Sequence, residues 1–157
     1  MDIIIKRTTT NRLYTEGSLL INNVEHTQTI ECTEMMLPAG LYALKLIKVN
    51  AHLRKLVILD GDTQKSTGQR ISPTAISHIG CRREQAIAIG HELIPGALYK
   101  SIADYERIVK RIEKCNKRRK PVLLVIDDNE CKASVPAKHW ERKLKQGETR
   151  NAKRTKF

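Results

Sequence analysis

A histidine and a cysteine stand three residues apart within the stretch 76–90, at His78 and Cys81, with Gly80 between them. The alternating apolar run 86–90 follows, so the pattern predicts a turn beside a strand. A cysteine thiolate can attack a carbonyl carbon, and a neighbouring imidazolium lowers the pKa of the thiol. The alternative interpretation is a small buried cysteine and a polar histidine at a turn. The spacing makes His78 and Cys81 the candidate catalytic base and nucleophile.

The composition indicates one folded domain with a basic appendage. The chain has 157 residues, 40% of them apolar, and only one Trp, four Tyr and one Phe, so the core must be aliphatic. The net charge is +12, and residues 132–157 hold nine lysines and arginines against two glutamates. We therefore expect a β-rich domain over 1–130 and a basic C-terminal extension over 131–157.

The N-terminal residues and the spacing of the cysteines indicate the compartment in which the protein is located. Asp2 stands where an export signal needs a basic residue, and no apolar run has the length of a membrane span. The sequence predicts a protein that is cytoplasmic as synthesised, with no membrane span. The cysteines show no CxxC spacing, which favours free thiols over disulfides; they are Cys32, Cys81, Cys115 and Cys131.

Cysteines can also bind a metal ion. Cys115, Cys131 and His139 match no zinc spacing that would justify a metal site. We expect neither a metal nor a cofactor.

Apolar alternation predicts most of the elements as strands. Asn22 and Asn23 form a natural two-residue turn because asparagine tolerates positive φ. Residues 8–16 read as a loop or a hairpin arm, and residues 60–70 as a polar loop. The predicted strands are 2–6, 17–21, 24–31, 41–49, 53–59, 86–90 and 122–126.

One helix is predicted over 101–119, with its apolar residues at i, i+3, i+4 and i+7. Lysines and arginines crowd its C-terminal end, as the helix dipole favours. The apolar face consists of Tyr105, Ile108, Val109 and Ile112. The fold class is therefore mainly β (α+β): a compact sandwich-like or barrel-like domain with one principal helix and a basic tail.

We expect structural rather than catalytic roles for several polar and aromatic residues. His26 is expected at the surface or paired, and Tyr42 and Tyr105 are expected to anchor packing rather than bind substrate. Glu31 could orient a base, but an exposed acid at a strand end is the preferred interpretation.

The order of these pieces resembles a small family of uncharacterised bacterial and phage domains reminiscent of the L,D-transpeptidases of the cell wall (YkuD-like). The resemblance spans roughly 2–127. It rests on 17–23 (Gly-Ser-Leu-Leu-Ile-Asn-Asn), 38–42 (Pro-Ala-Gly-Leu-Tyr), 78–80 (His-Ile-Gly), 86–90 (Ala-Ile-Ala-Ile-Gly) and the final strand. In that family a Pro-Ala-Gly-x-Tyr block introduces a strand. A His-x-Gly-Asn block then precedes a Gly-Cys block that carries the nucleophile.

The motif departs from the family pattern at the cysteine. Cys81 takes the place of the Asn, and Gln85-Ala86 take the Gly-Cys slot. A rival alignment reads 77–82 as the transpeptidase block Ser-His-Gly-Cys-x-Arg with Ile79 inserted. Insertion of one residue in a strand turns the side chains after it to the other face. Either Cys81 replaces the family nucleophile, or the domain keeps the fold without the chemistry.

The resemblance implies an enzyme that acts on peptidoglycan peptides, with Cys81 as nucleophile and His78 as base. Arg82 and Arg83 are candidate substrate-binding or anion-binding cations, and in a binding module they would form the working surface together with the tail. The resemblance also implies association with a phage particle. The alternative is a non-enzymatic basic module, structural or virion-associated, whose tail binds nucleic acid or a virion partner.

Overall fold

A computed structural model describes residues 1–73, 86–94, 97–99 and 101–135. Within these residues the chain forms ten strands, one 3-10 turn and one α-helix. They are β1 (Asp2–Thr10), β2 (Tyr14–Ile21), β3 (Val24–Cys32), the 3-10 turn Thr33–Met35, β4 (Gly40–Lys48), β5 (Arg54–Asp60), β6 (Ser66–Ser72), β7 (Ala86–Ile94), β8 (Ala97–Tyr99), α1 (Ser101–Lys117), β9 (Leu123–Asp127) and β10 (Lys132–Ala133).

Eight of these strands close into a barrel. Their order is β1-β2-β3-β7-β6-β5-β4-β9, and β9 returns to pair in parallel with β1. Closure leaves none of the eight as a free sheet edge, which is how barrels avoid edge-to-edge association. The predicted β-rich, barrel-like class with one helix is confirmed for the described part of the chain.

The two remaining strands are short additions to the wall. β8 pairs with β7, and β10 continues along β1 beyond the end of β9. The backbone N–H of Ser134 also donates to the carbonyl of Thr10 at 2.8 Å. The first residues of the predicted extension thus lie against the barrel, and residues 136–157 fall outside the described residues.

The barrel interior is aliphatic, as the scarcity of aromatic residues predicts. Alternate residues of each strand point inward, because successive side chains of a strand lie on opposite faces. The buried cluster consists of Ile3, Ile5, Leu19, Ile21, Tyr42, Leu56, Ile58, Ile71, Ile87, Ile89, Ile108, Ile112, Val122, Leu124 and Ile126.

Helix α1 packs across the end of the barrel where β2 and β7 end and β3 and β5 begin. Its predicted apolar face is confirmed, since Ile108, Val109 and Ile112 are buried. Tyr105 lies beside them, and its hydroxyl donates to the carbonyl of Arg54 at the start of β5, at 2.7 Å. Helix α1 therefore closes one end of the barrel.

The predicted asparagine turn is confirmed, and the predicted loop over 60–70 is only partly correct. Asn22 and Asn23 have φ values of 49° and 67°, which confirms the predicted turn between β2 and β3. The predicted loop over 60–70 is wrong in its second half, because Ser66–Ser72 forms β6. The buried residues of β6 are Gln69, Ile71 and Ser72, near its end. Two of these three are polar, so the glycine-containing sequence of β6 resembles a loop.

No helix in the described ranges has the length and apolar character needed to cross a membrane.

Candidate functional site

The predicted site residues His78, Cys81, Arg82 and Arg83 lie outside the described residues. The strands on either side of them are described: β6 and β7 are parallel neighbours in the barrel wall, with Ser72 opposite Ala88. Parallel neighbours require a crossover connection. The stretch that carries the predicted chemistry is therefore the connection between these two strands.

The first alignment predicts Ala86 at the cysteine slot of the family pattern. This residue is the first of β7, only 8% exposed, and pairs with Arg70 of β6. A methyl group at this position supplies no nucleophile. Any thiol chemistry on this connection must come from Cys81.

A buried ion pair lies toward the other end of the barrel from α1. Arg7 of β1 and Glu31 of β3 are 1% and 2% exposed. Arg7 Nε donates to Glu31 Oε2 and Arg7 Nη2 donates to Glu31 Oε1, both at 2.9 Å. Arg7 Nη2 also donates to the carbonyl of Leu37 at 2.7 Å. Glu31 is therefore not the exposed strand-end acid that its local sequence predicted.

Gly17 of β2 lies between the strands that carry this pair. It is opposite Arg7 in β1 and opposite Thr29 in β3. A Cβ atom here would lie 2.5 Å from the carbonyl oxygen of Lys6 and 2.9 Å from Thr29 Oγ1. The absence of a side chain allows this close approach of β2 to its neighbours.

The electrostatics of the pair fit a structural role. Burial by itself lowers the pKa of Arg7, but the hydrogen bond and charge of Glu31 outweigh it and raise that pKa above its ordinary value. Nearby, burial raises the pKa of the Cys131 thiol; Arg7 opposes this, while Asp128 and Glu31 add to it. Since the thiolate is the reactive form, Cys131 is not an activated nucleophile.

The block 38–42 begins β4 beside this ion pair. The Tyr42 hydroxyl donates to the carbonyl of Pro38 at 2.6 Å, and Tyr42 is 8% exposed. Burial raises the pKa of Tyr42. Together with the contact from Arg7 to Leu37, this bond fixes the chain at the entry to the strand. Tyr42 anchors packing, as predicted.

A second polar cluster lies where α1 meets the barrel, and no sequence pattern indicated it. Asp104 of α1 is 3% exposed, accepts a hydrogen bond at Oδ1 from Arg107, and has Oδ2 at 2.9 Å from Nε2 of His91. That oxygen accepts no hydrogen bond in the described residues, so it lies close to His91 without hydrogen-bond geometry. Next to it, Arg111 Nη1 lies 3.1 Å from Nε2 of His26.

This cluster sets a buried carboxylate beside an imidazole, but the described residues add no cysteine or serine nucleophile to it. A buried carboxylate beside a histidine is the arrangement that fixes a ring in acid–base chemistry. The adjoining cavity, however, is only about 20 Å³, enough for one water molecule. Its lining holds no cysteine or serine among the described residues; besides Asp104, Arg107 and Arg111 it comprises Ile21, His26, Thr27 and Ile108. His91 and Asp104 are 13 residues apart, so no local motif could have linked them.

A wider groove runs between α1 and the turn after β4. Its volume is about 430 Å³, within the range of small-ligand sites. Leu53, Ile102 and Val109 contribute apolar surface, and Arg54 forms an ion pair with Glu113 at its rim. Pro73, at the end of β6, also lines it. The groove thus reaches the point where the connection to β7 begins.

No group of histidine, cysteine and acidic residues within the described ranges could hold a metal ion. Comparison of the chain with family models, with curated proteins and with solved structures finds no match.

Proposed function

We propose that this protein acts on peptidoglycan peptides as a cysteine-dependent transferase or hydrolase, as the resemblance to the L,D-transpeptidases implies. Cys81 is the nucleophile and His78 is its base. Arg82 and Arg83 bind carboxylate groups of the substrate. The protein reaches the cell wall at lysis or as part of a phage particle.

The proposal is supported by the environments of the other three cysteine thiols, which do not favour reaction. Cys32 is 4% exposed in an apolar cluster on the outside of β3, where a cysteine behaves as a small hydrophobic residue. Burial raises the pKa of Cys131. Cys115 packs against the barrel core. Cys81 is the remaining cysteine, and it has a histidine three residues before it in the sequence.

The proposed reaction proceeds through an acyl-enzyme. His78 takes the proton of the Cys81 thiol while the sulfur bonds to the peptide carbonyl carbon. His78 then returns the proton to the leaving amine as the C–N bond breaks, which leaves a thioester on Cys81. An acceptor amine completes transfer and water completes hydrolysis. Each gives a proton to His78 as it attacks the thioester, and the sulfur of Cys81 takes that proton back as the C–S bond breaks.

The scaffold supports the proposal at two points. The block 38–42 begins a strand, as its counterpart does in the family pattern, and residues 86–90 form the buried first half of β7. A closed barrel gives a rigid wall on which a connection between β6 and β7 can hold reacting groups.

The test is incubation of purified muropeptides with the protein, followed by mass spectrometry. The proposal expects new cleavage or exchange products that vanish in Cys81→Ala and persist in the matched control Cys131→Ala. No products from the unmodified protein would contradict the proposal. Products formed by the double variant Cys81→Ala/Ala86→Cys, but not by the unmodified protein, would instead assign the nucleophile to position 86, the cysteine slot of the family pattern.

A further inference from the structure

Helix α1 and the turn after it carry a dense group of exposed cations that the proposed peptide chemistry does not use. We call this group the α1 cation surface, and all of its members are exposed. They are Lys110, Lys114, Lys117, Arg118, Arg119 and Lys120.

None of these six side chains pairs with a carboxylate in the described part of the chain. The acids of the same helix are largely engaged elsewhere: Asp104 contacts Arg107 and His91, and Glu113 is held by Arg54. Glu106 remains exposed one turn before the surface. The charge of the surface is therefore not neutralised by this helix.

Intrahelical stability explains only part of the pattern. The helix dipole favours Lys114 and Lys117 in the last turn. It does not act on Lys110, which lies further from the helix end, four residues after Glu106 (an attractive spacing) and four residues before Lys114 (a repulsive one). From Lys114 to Lys120 the chain nevertheless carries five cations and no acid, and Glu113, the acid just before them, is held by Arg54.

The turn after the helix adds a cation at a backbone position that is unfavourable for arginine. Arg119 has a φ of 55°, and its N–H donates to the carbonyl of Asn116 at 3.0 Å. This left-handed position at a helix end is one that glycine adopts without strain and other residues adopt at a cost. Here it holds an arginine, which adds a guanidinium to the surface.

We propose that the α1 cation surface binds the phosphodiester backbone of a nucleic acid, independently of base sequence. Lys110, Lys114 and Lys117 form one stripe about 10 Å long, since a helix rises about 1.5 Å per residue. One strand of a duplex presents a phosphate about every 3.4 Å along the axis, so the stripe spans about three phosphates.

The surface suits phosphates better than a membrane. Helices that lie on membranes insert large apolar side chains beside their cations. Among the described residues, the exposed large apolar side chains include Ile102 and Leu123 but none between them. Lys110 borders the apolar groove that contains Leu53 and Ile102. The dense part of the surface, from Lys114 to Lys120, carries five exposed cations, and the occupant that matches it is a polyanion. This inference goes beyond the proposed peptide chemistry and does not depend on it.

The test compares two full-length variants with an equal reduction in positive charge. The first combines Lys110→Gln, Lys114→Gln, Lys117→Gln and Arg118→Gln. The matched control combines Lys45→Gln, Lys48→Gln, Lys55→Gln and Lys65→Gln, at positions on β4, β5 and the turn after them. Both keep residues 136–157, so any contribution of the tail is the same.

Binding of a short labelled duplex DNA is measured by fluorescence anisotropy from about 50 to 200 mM salt. The helix variant is expected to bind more weakly and to show a salt slope lower by about 0.9 for each phosphate that it no longer neutralises. The control is expected to keep the slope of the unmodified protein. Equal weakening in both variants, or in neither, would overturn the proposal.

A single substitution distinguishes the loss of a DNA contact from a loss of folding. Arg119→Gly is expected to keep or raise the melting temperature, because glycine suits this φ, while weakening DNA binding by up to about eightfold at 0.1 M salt. Unchanged DNA binding in this variant would count against a contact at Arg119. If the helix variant instead loses binding to phosphatidylglycerol vesicles and keeps binding to DNA, the surface is a membrane contact and the proposal is wrong.

Discussion

Arg7 and Glu31 face each other inside the barrel through two N–H···O bonds of 2.9 Å, although 24 residues separate them in the sequence. The pair joins β1 to β3 across β2, and its third bond, to the carbonyl of Leu37, holds the segment that leads into β4. The pair thus organises the barrel end opposite α1.

Glu31→Gln is expected to lower the free energy of unfolding by about 3–5 kcal/mol, because it leaves the guanidinium of Arg7 buried without its counter-charge. Urea denaturation measures the change. The matched control is Glu130→Gln, which breaks the exposed ion pair with Lys6 and should leave stability nearly unchanged. Similar losses in the two variants would show that burial does not determine the role of the pair.

Gly17→Ala is expected to destabilise the barrel by about 1–3 kcal/mol, since the new methyl group would meet the backbone of Lys6. Ser18→Ala, at the next residue of β2, is the control and should cost much less. Thermal unfolding of both variants provides the comparison. A Gly17→Ala protein as stable as the control would mean that the strands can separate without cost.

His26 provides a pH-dependent prediction. Burial lowers its pKa from 6.5, and the charges of Arg111 and Arg107 lower it further. The unfolded chain then binds this proton more readily than the folded chain, so His26 reduces stability as the pH falls below 6.5. NMR titration of the imidazole should give a midpoint below 6.5, and Arg111→Gln should raise it. A midpoint unaffected by that substitution would contradict the assignment.

Local patterns predicted the elements whose periodicity is strong. The apolar face of α1 and the asparagine turn between β2 and β3 follow from spacing and residue type alone. β6 was missed because Ser66–Ser72 is polar on its outward face and contains Gly68. A strand of this composition is recognisable only when its neighbours in the barrel are known.

Long-range relationships were beyond local patterns. Nothing near Glu31 in the sequence indicates its partner on β1, so an acid at the end of an alternating run resembles a surface residue. The contact between His91 and Asp104 likewise depends on how α1 crosses the barrel end. Closure of the barrel by β1 and β9 joins strands more than a hundred residues apart.

The most direct test of the central claim is the alkylation rate of each cysteine in the folded protein, resolved by peptide mass spectrometry across pH. We predict that Cys81 reacts fastest and stays reactive below the usual thiol pKa of about 8.5. His78→Ala should slow Cys81 without changing the rate at Cys115. A Cys81 that reacts no faster than Cys115 or Cys131, or that ignores the loss of His78, would contradict an activated thiol.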